Sequence, residues 1–241
     1  METSERRSVG NSAVKVSRLG FGSACLGNLY APVSDAEAAQ TVAAALEEGV
    51  RYFDTAPYYG YGLAEQRLGT ALRDQPRQSY AVSTKVGRLL EPREGAPRSD
   101  QGFIDALPFD PVFDYSYEAV MRSVEESLDR IGCERFDILL LHDLGSLTHG
   151  AEVHPSIFET AMQEGYRALD ALRAEGSVGA LGLGVNECEV CLEAMKRGDF
   201  DCFLIAGRYT LLDQSALERL LPACAKRRIS VRSSVQARWV S

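Results

Sequence analysis

The sequence predicts an α/β fold, a (β/α)8 TIM barrel that is incomplete toward its C-terminus, with strands 7–8 missing or altered. Three observations predict it. Short, almost continuously apolar runs alternate with longer amphipathic ones, the pattern of a parallel sheet covered by helices. Successive apolar runs end in residues able to do chemistry, namely Asp54, Lys85, His142 and Asn186, and barrels assemble their sites from several strand ends at once. The competing fold, an open doubly wound sheet, wants G-x-G-x-x-G after its first strand. Here Gly20-Phe21-Gly22-Ser23-Ala24-Cys25 fails at the third glycine, and no acidic residue is placed to hold a ribose.

The elements follow in order. LGFGSA (19–24) reads as the first strand, and the capping-box pair Ser34 and Glu37 opens a helix that Gly49 stops. VRYFDT (50–55) is the second strand, and a helix at about 63–73 leads to YAVSTK (80–85). A segment rich in Pro, Gly and aromatics, residues 86–116, reads as a loop or lid. Val120, Val124, Leu128 and Ile131 keep helical spacing up to Gly132, and FDILLLH (136–142) is the clearest buried strand. Tyr166, Leu169 and Leu172 mark a helix ended by Gly176, followed by SVGALGLGVN (177–186) as a strand. A helix at about 187–197 precedes DCFLIAG (201–207). Asp213 is placed to cap a sixth helix, and ISV (229–231) begins a seventh strand.

Eight units usually need about 250 residues, and the 241 present supply six complete units and the start of a seventh. The expected division is a partial barrel over 1–231 and an atypical tail over 232–241, whose two arginines make it a poor continuation of a strand buried on both faces. A barrel lacking its closing strands would leave its first and last strands with unpaired edges.

Composition narrows the function classes. With 26 Lys and Arg against 34 Asp and Glu, the net charge of −8 repels nucleic acid and anionic membrane. No apolar run approaches the roughly 20 residues of a membrane span, and METSERRSVG carries no signal-peptide core, so a cytoplasmic location is expected. The six cysteines fit buried reduced thiols better than a disulfide framework. Cys188-x-x-Cys191 has neither a second pair nor a histidine at finger spacing, so no metal is expected.

Asp54, Tyr59, Lys85 and His142 form a set with a chemical logic. An ammonium beside a phenol stabilises the phenolate and draws its pKa from about 10 toward working pH, and a carboxylate beside the lysine keeps it charged. Tyr59 then serves as proton donor or acceptor while an imidazole orients a carbonyl or alcohol oxygen, a set suited to hydride transfer with a nicotinamide cofactor. Structural readings stand beside this one: Asp54 as a turn residue, Tyr58 and Tyr59 as loop packing, His142 as a satisfied core histidine. His149 and His154, in a polar loop, are expected to face solvent. A lysine at a strand end also serves Schiff-base aldolases, although Asp54 argues against a neutral amine. A cofactor-poor barrel fragment without catalysis is a further alternative.

The strings YFDTAPYYG, STKVGRLL, LLLHDLG and GLGVNE resemble those of the aldo-keto reductases. LGFGSACLGN, PVFDYSYEAVMRS and FDCFLIAGRYTLLDQ are similar to its aldose and pyridoxal dehydrogenase branch, over about residues 18–231. The resemblance implies an oxidoreductase using NAD or NADP on a small sugar or aldehyde, with Tyr59 as acid/base, Lys85 and Asp54 tuning it, and His142 orienting the substrate oxygen. It also implies that Gly22, Ser23, Asp54 and Asn186 lie against the cofactor. Three positions depart from the pattern or lie beside a departure: Val185 stands where many members have Ser, Ala206 where many have Gln, and Tyr209 is close by. The family's cofactor loops after strands seven and eight are expected to be absent or replaced within these 241 residues. Residues 86–116, with Phe103, Phe109, Phe113 and Tyr115, would shape the sugar pocket.

Overall fold

The computed structural model describes residues 5–95 and 98–234. An antiparallel hairpin of β1 (Arg6–Ser8) and β2 (Lys15–Ser17) precedes the two-residue strand β3 (Phe21–Gly22). The predicted run 19–24 is thus mostly not strand, because the chain turns into a 3-10 helix at Ser23–Gly27. Helix α1 (Asp35–Glu47) starts on the expected capping box, in which Ser34 Oγ accepts from the Glu37 N–H and the Glu37 carboxylate accepts from the Ser34 N–H. Strand β4 (Tyr52–Asp54), helix α2 (Leu63–Leu72) and strand β5 (Ala81–Val86) follow.

The segment read as a loop is instead two hairpin pairings. Strand β6 (Arg88–Pro92) pairs with β9 (Phe109–Phe113), and inside them β7 (Arg98–Asp100) pairs with β8 (Phe103–Ala106). Proline and glycine masked this from pattern reading, since Pro92 and Pro111 sit within the pairing itself. Helix α3 (Tyr117–Ile131) ends at Gly132 in the left-handed conformation, φ 70°. Then come β10 (Ile138–His142), the short helices α4 (Ser146–His149) and α5 (His154–Thr160), α6 (Tyr166–Ala174), β11 (Ala180–Val185), α7 (Cys188–Ala194) and β12 (Cys202–Ala206). Helix α8 (Leu220–Arg227) leads to β13 (Ser230–Ser234). Asp213 does not cap α8. Its carboxylate accepts from the Ser215 N–H, at the start of a separate 3-10 turn. Arg232, Ser233 and Ser234 continue β13, paired with β12, while residues 235–241 lie outside the described residues.

Strands β3, β4, β5, β10, β11, β12 and β13 form one parallel sheet in that order, each beside the next. The sheet is rolled nearly into a barrel. Arg232 on β13 lies over the Tyr52 ring on β4, 4.0 Å from its centroid, although four strands separate them in the sheet. Among the described residues β3 and β13 do not pair with each other. Strand alternation divides the side chains in two. Phe53, Val82, Leu139, Leu141, Leu181, Leu183, Phe203 and Ile205 point outward into the core beneath the helices. Tyr52, Ala81, Ile138, Ala180 and Cys202, each the first residue of its strand, meet inside with Leu140, Val9 and Val16. The β1–β2 hairpin therefore plugs the amino-terminal mouth. Gly10 at its turn has φ +55°, and a Cβ there would come within 2.4 Å of the Asp201 carbonyl oxygen, so only glycine permits this approach.

Candidate active site

The inward set that starts in the apolar plug ends in polar groups at the other mouth. Counting by twos gives Tyr52 and Asp54; Ala81, Ser83 and Lys85; Ile138, Leu140 and His142; Ala180, Gly182, Gly184 and Asn186. Gly184 leaves room for the lysine, since a Cβ there would stand 3.0 Å from Lys85 Cε. Lys85 is buried, and its Nζ donates to Asp54 Oδ2 at 2.6 Å and to the Thr55 carbonyl at 2.8 Å. Asp54 Oδ1 accepts from Ser83 Oγ at 2.7 Å. Burial alone would push Lys85 toward its neutral form, but the Asp54 charge and hydrogen bond outweigh it and hold the ammonium above its ordinary range.

Tyr59 comes from the turn after β4. That turn is clamped against the preceding 3-10 helix: a Cβ on Gly60 (φ +63°) would meet Gly27 O at 2.5 Å. Lys85 Nζ lies 4.6 Å from the Tyr59 ring centroid, so its charge acts on the phenol. The expected fall of the Tyr59 pKa toward neutrality is nevertheless not found. Burial pushes it above the usual tyrosine range, and Lys85 reverses only part of that rise.

His142 packs edge-on against Tyr59 and Tyr58, with ring centroids 6.1 Å and 6.2 Å apart. Burial first, then the Arg88 and Lys85 charges, hold its pKa well below the usual value, so the imidazole is neutral. Tyr115 secures this strand end by donating to the His142 carbonyl at 2.5 Å. Asp143 follows in the left-handed conformation, φ 49°. Its carboxylate pairs with Arg88, accepts from Asn186 Nδ2 at 3.0 Å and lies 3.5 Å from His142 Nε2.

The structure thus brings Asp54, Tyr59, Lys85 and His142 together, with Asn186 joined to them through Asp143. Gly22 and Ser23 stand at the end of β3, beside Asp54, which pairs in register with Gly22. Gly22 is exposed with open space where a Cβ would be, and Ser23 Oγ is buried without a partner among the described residues. Val185 points into the outer core, Ala206 is half-buried and Tyr209 is exposed. Of the pocket aromatics, Phe103 packs on Tyr58 and Tyr59, and Phe113 and Tyr115 line up beside His149, while Phe109 packs against the cluster around Tyr61 and Phe103.

Two expectations are met only in part and two residues were overlooked. His149 and His154 are half-buried: His149 Nε2 lies 3.3 Å from the Tyr115 hydroxyl and its ring packs on Phe113, and His154 Nδ1 lies 2.8 Å from the Leu144 carbonyl oxygen. Sequence reasoning missed Arg88 and Asp143. Asp143 directly follows a singled-out histidine, and Arg88 stands three residues after Lys85, yet their pairing spans 55 positions and leaves no local pattern. Cys188 and Cys191 are buried free thiols, and no described group of three or more His, Cys, Asp or Glu is placed to hold a metal. No described helix is long and apolar enough to cross a membrane.

Known proteins resemble this chain over most of its length. The model of the aldo/keto reductase family matches residues 18–233. Pyridoxal 4-dehydrogenase of Microbacterium luteolum is 44% identical over 238 residues, covering 94% of this chain and 69% of that protein. D-threo-aldose 1-dehydrogenase of a Pseudomonas species is 39% identical, covering 89% of this chain and 64% of that protein. The chain therefore spans about two thirds of the length of these relatives. Among solved structures, the holo form of a Bacillus halodurans aldo-keto reductase superposes with a TM-score of 0.69 at 27% identity, covering 95% of this chain and 65% of that one.

Proposed function

This chain belongs to the aldo/keto reductase family, and on that premise we propose that it is an NAD- or NADP-dependent oxidoreductase acting at C1 of an aldose. Oxidation would give the lactone, and the same groups would serve reduction of an aldehyde. The observation that carries this reading is the Lys85 ammonium, fixed by Asp54 at 2.6 Å and set 4.6 Å from the Tyr59 ring, with His142 edge-on to that ring.

The residues present fit the nicotinamide end of a dinucleotide. Gly22 leaves open space at the mouth, Ser23 offers a buried hydroxyl without a partner among the described residues, and Asn186 is exposed, its Nδ2 held by Asp143. With Asp54 these would hold the cofactor, which when bound supplies the two-electron acceptor or donor. Tyr59, kept as the neutral phenol by burial, gives its proton to the carbonyl oxygen in the reductive direction, and in oxidation its phenolate form takes the proton from the C1 hydroxyl as that oxygen becomes a carbonyl. Lys85 stabilises the phenolate, and Asp54 keeps Lys85 charged. His142, neutral, donates a ring N–H to the substrate oxygen without adding a competing charge. The same ion pair disfavours the aldolase reading, which needs an uncharged lysine.

Replacing Tyr59 with Phe should lower turnover of an aldose by about 10²- to 10⁴-fold, the range for loss of a positioned proton carrier. Steady-state rates with NAD and with NADP check this. Undiminished turnover in the variant would overturn the role of Tyr59, and absence of saturable dinucleotide binding by calorimetry would favour a fragment without catalysis.

A further inference from the structure

On the far side of Tyr58, whose ring contacts His142, lies a cavity of about 290 Å³, lined by Tyr58, Arg88, Gln101, Pro111, Phe113 and Thr148. Tyr58 belongs both to this lining and to the aromatic contact on His142, so the space begins one ring away from the imidazole. Its volume is at the small end for ligand sites, which start at about 300 Å³, and suits a single sugar unit. Arg88 is held there rigidly. Its guanidinium carbon lies 3.8 Å from the Tyr58 centroid and 4.4 Å from the Phe113 centroid, and only 7% of the residue is exposed. A guanidinium carries five N–H donors. Asp143 accepts from Nη2, and Nε has no acceptor among the described residues. Such a group, stacked and under-bonded, recognises oxygen acceptors.

Charge narrows the ligand further. Lys85 is matched by Asp54 and Arg88 by Asp143, so neither cation at this mouth is left to meet an anion. A carboxylate or phosphate on the substrate would find both cations already paired, Arg88 of the cavity wall included. Hydroxyl groups would meet Arg88 donors and the polar side chains of Gln101 and Thr148, with Tyr58, Pro111 and Phe113 as walls.

We propose that this cavity is the subsite for the hydroxylated remainder of an uncharged aldose, and that the Arg88–Asp143 pair makes the enzyme prefer uncharged over anionic substrates. The inference rests on the assignment of Tyr59 and His142 given above and extends it to specificity.

The test compares a neutral aldose, the uronic acid of the same sugar, and glycolaldehyde, which is too small to use the cavity. Thr148 is exposed on the short helix α4, so Thr148→Phe fills the space without disturbing the core. It should raise KM for the aldose about tenfold or more and leave glycolaldehyde within about twofold, the scale of losing pocket contacts. Asp143→Asn leaves Arg88 uncompensated and should raise kcat/KM for the uronic acid relative to the aldose by about tenfold or more. Equal effects of Thr148→Phe on large and small substrates, or an unchanged ratio in Asp143→Asn, overturn the proposal.

Binding tests the subsite independently of turnover. Saturation-transfer NMR with the unreacted aldose, with and without dinucleotide, should show saturable binding that Thr148→Phe and Arg88→Gln weaken. No binding to the unaltered chain, or equal binding to all three, overturns the subsite. Intact binding with no turnover of glycolaldehyde sinks the oxidoreductase reading and leaves the subsite standing.

Discussion

The amino-terminal and carboxyl-terminal mouths of the sheet are made by the same strands and the same inward-facing register, yet they hold opposite kinds of matter. At the first, Tyr52, Ala81, Ile138, Ala180 and Cys202 close on Val9 and Val16 of the β1–β2 hairpin, and burial pushes the Cys202 thiol up to about 12. At the second, two, four or six residues further along, Asp54, Lys85, His142 and Asn186 face a mouth that carries Tyr59 and the Arg88–Asp143 pair. One end gains from burial, and the other spends part of that gain on desolvated charge. A barrel can carry such a site because alternation places it on strands whose first turns are already packed.

The sharpest way to break this contrast is to remove one charge of the polar end. Lys85→Met leaves Asp54 buried without its cation, and should destabilise the fold by about 3–5 kcal/mol. Asp54→Asn combined with Lys85→Met should recover a large part of that loss while turnover stays abolished. Urea denaturation of the three forms checks it, and a double variant no more stable than Lys85→Met would mean that Lys85 acts by packing rather than by charge. At the apolar end, Leu140→Ala should cost about 2–5 kcal/mol through the cavity it opens. There no second substitution of a charge should restore stability.

These two ends were unequally legible in the sequence. Strand patterns ending in Asp54, Lys85, His142 and Asn186 could be read because period-two alternation is local, and each polar residue closes an apolar run. The hairpin plug could not be read: β1 and β2 are three residues each, too short for any period, and the burial of Val9 and Val16 depends on residues more than 30 positions away. Arg88 and Asp143 were lost for the same reason, since what defines them is a pairing across 55 positions and the strained φ of Asp143. The direction of the Tyr59 pKa was misjudged because a sequence names the neighbouring charge but not the depth of burial, and burial is the larger effect.

Titration separates the two ends more gently. His142 is held neutral in the fold, with its pKa depressed below the ordinary value. Between the folded pKa and about 6.5 the unfolded chain binds a proton that the folded chain refuses, so stability present above pH 6.5 is lost as pH falls, by up to about 1.4 kcal/mol per pH unit. Urea midpoints of the unaltered chain should therefore decline between pH 7 and 5.5, and His142→Gln should flatten that decline. A decline of equal slope in the variant would place its origin elsewhere.

The smallest effect tests whether the plug is tied to the sheet or merely rests under it. Gly10 N–H donates to Ser230 Oγ at 2.8 Å, joining the hairpin turn to the first residue of β13, 220 positions away. Ser230→Ala removes the acceptor and should cost about 0.5–1.5 kcal/mol, the net worth of one hydrogen bond. Because the close approach of Gly10 to Asp201 keeps water from replacing the lost partner, hydrogen exchange at Gly10 and at its hairpin neighbours Val9 and Val16 should quicken with the drop in stability, while exchange at Lys85 and His142 follows only the global change. Uniform quickening at both mouths would show that hairpin and sheet open as one cooperative unit, and the division between a packed end and a chemical end would then be one of composition alone.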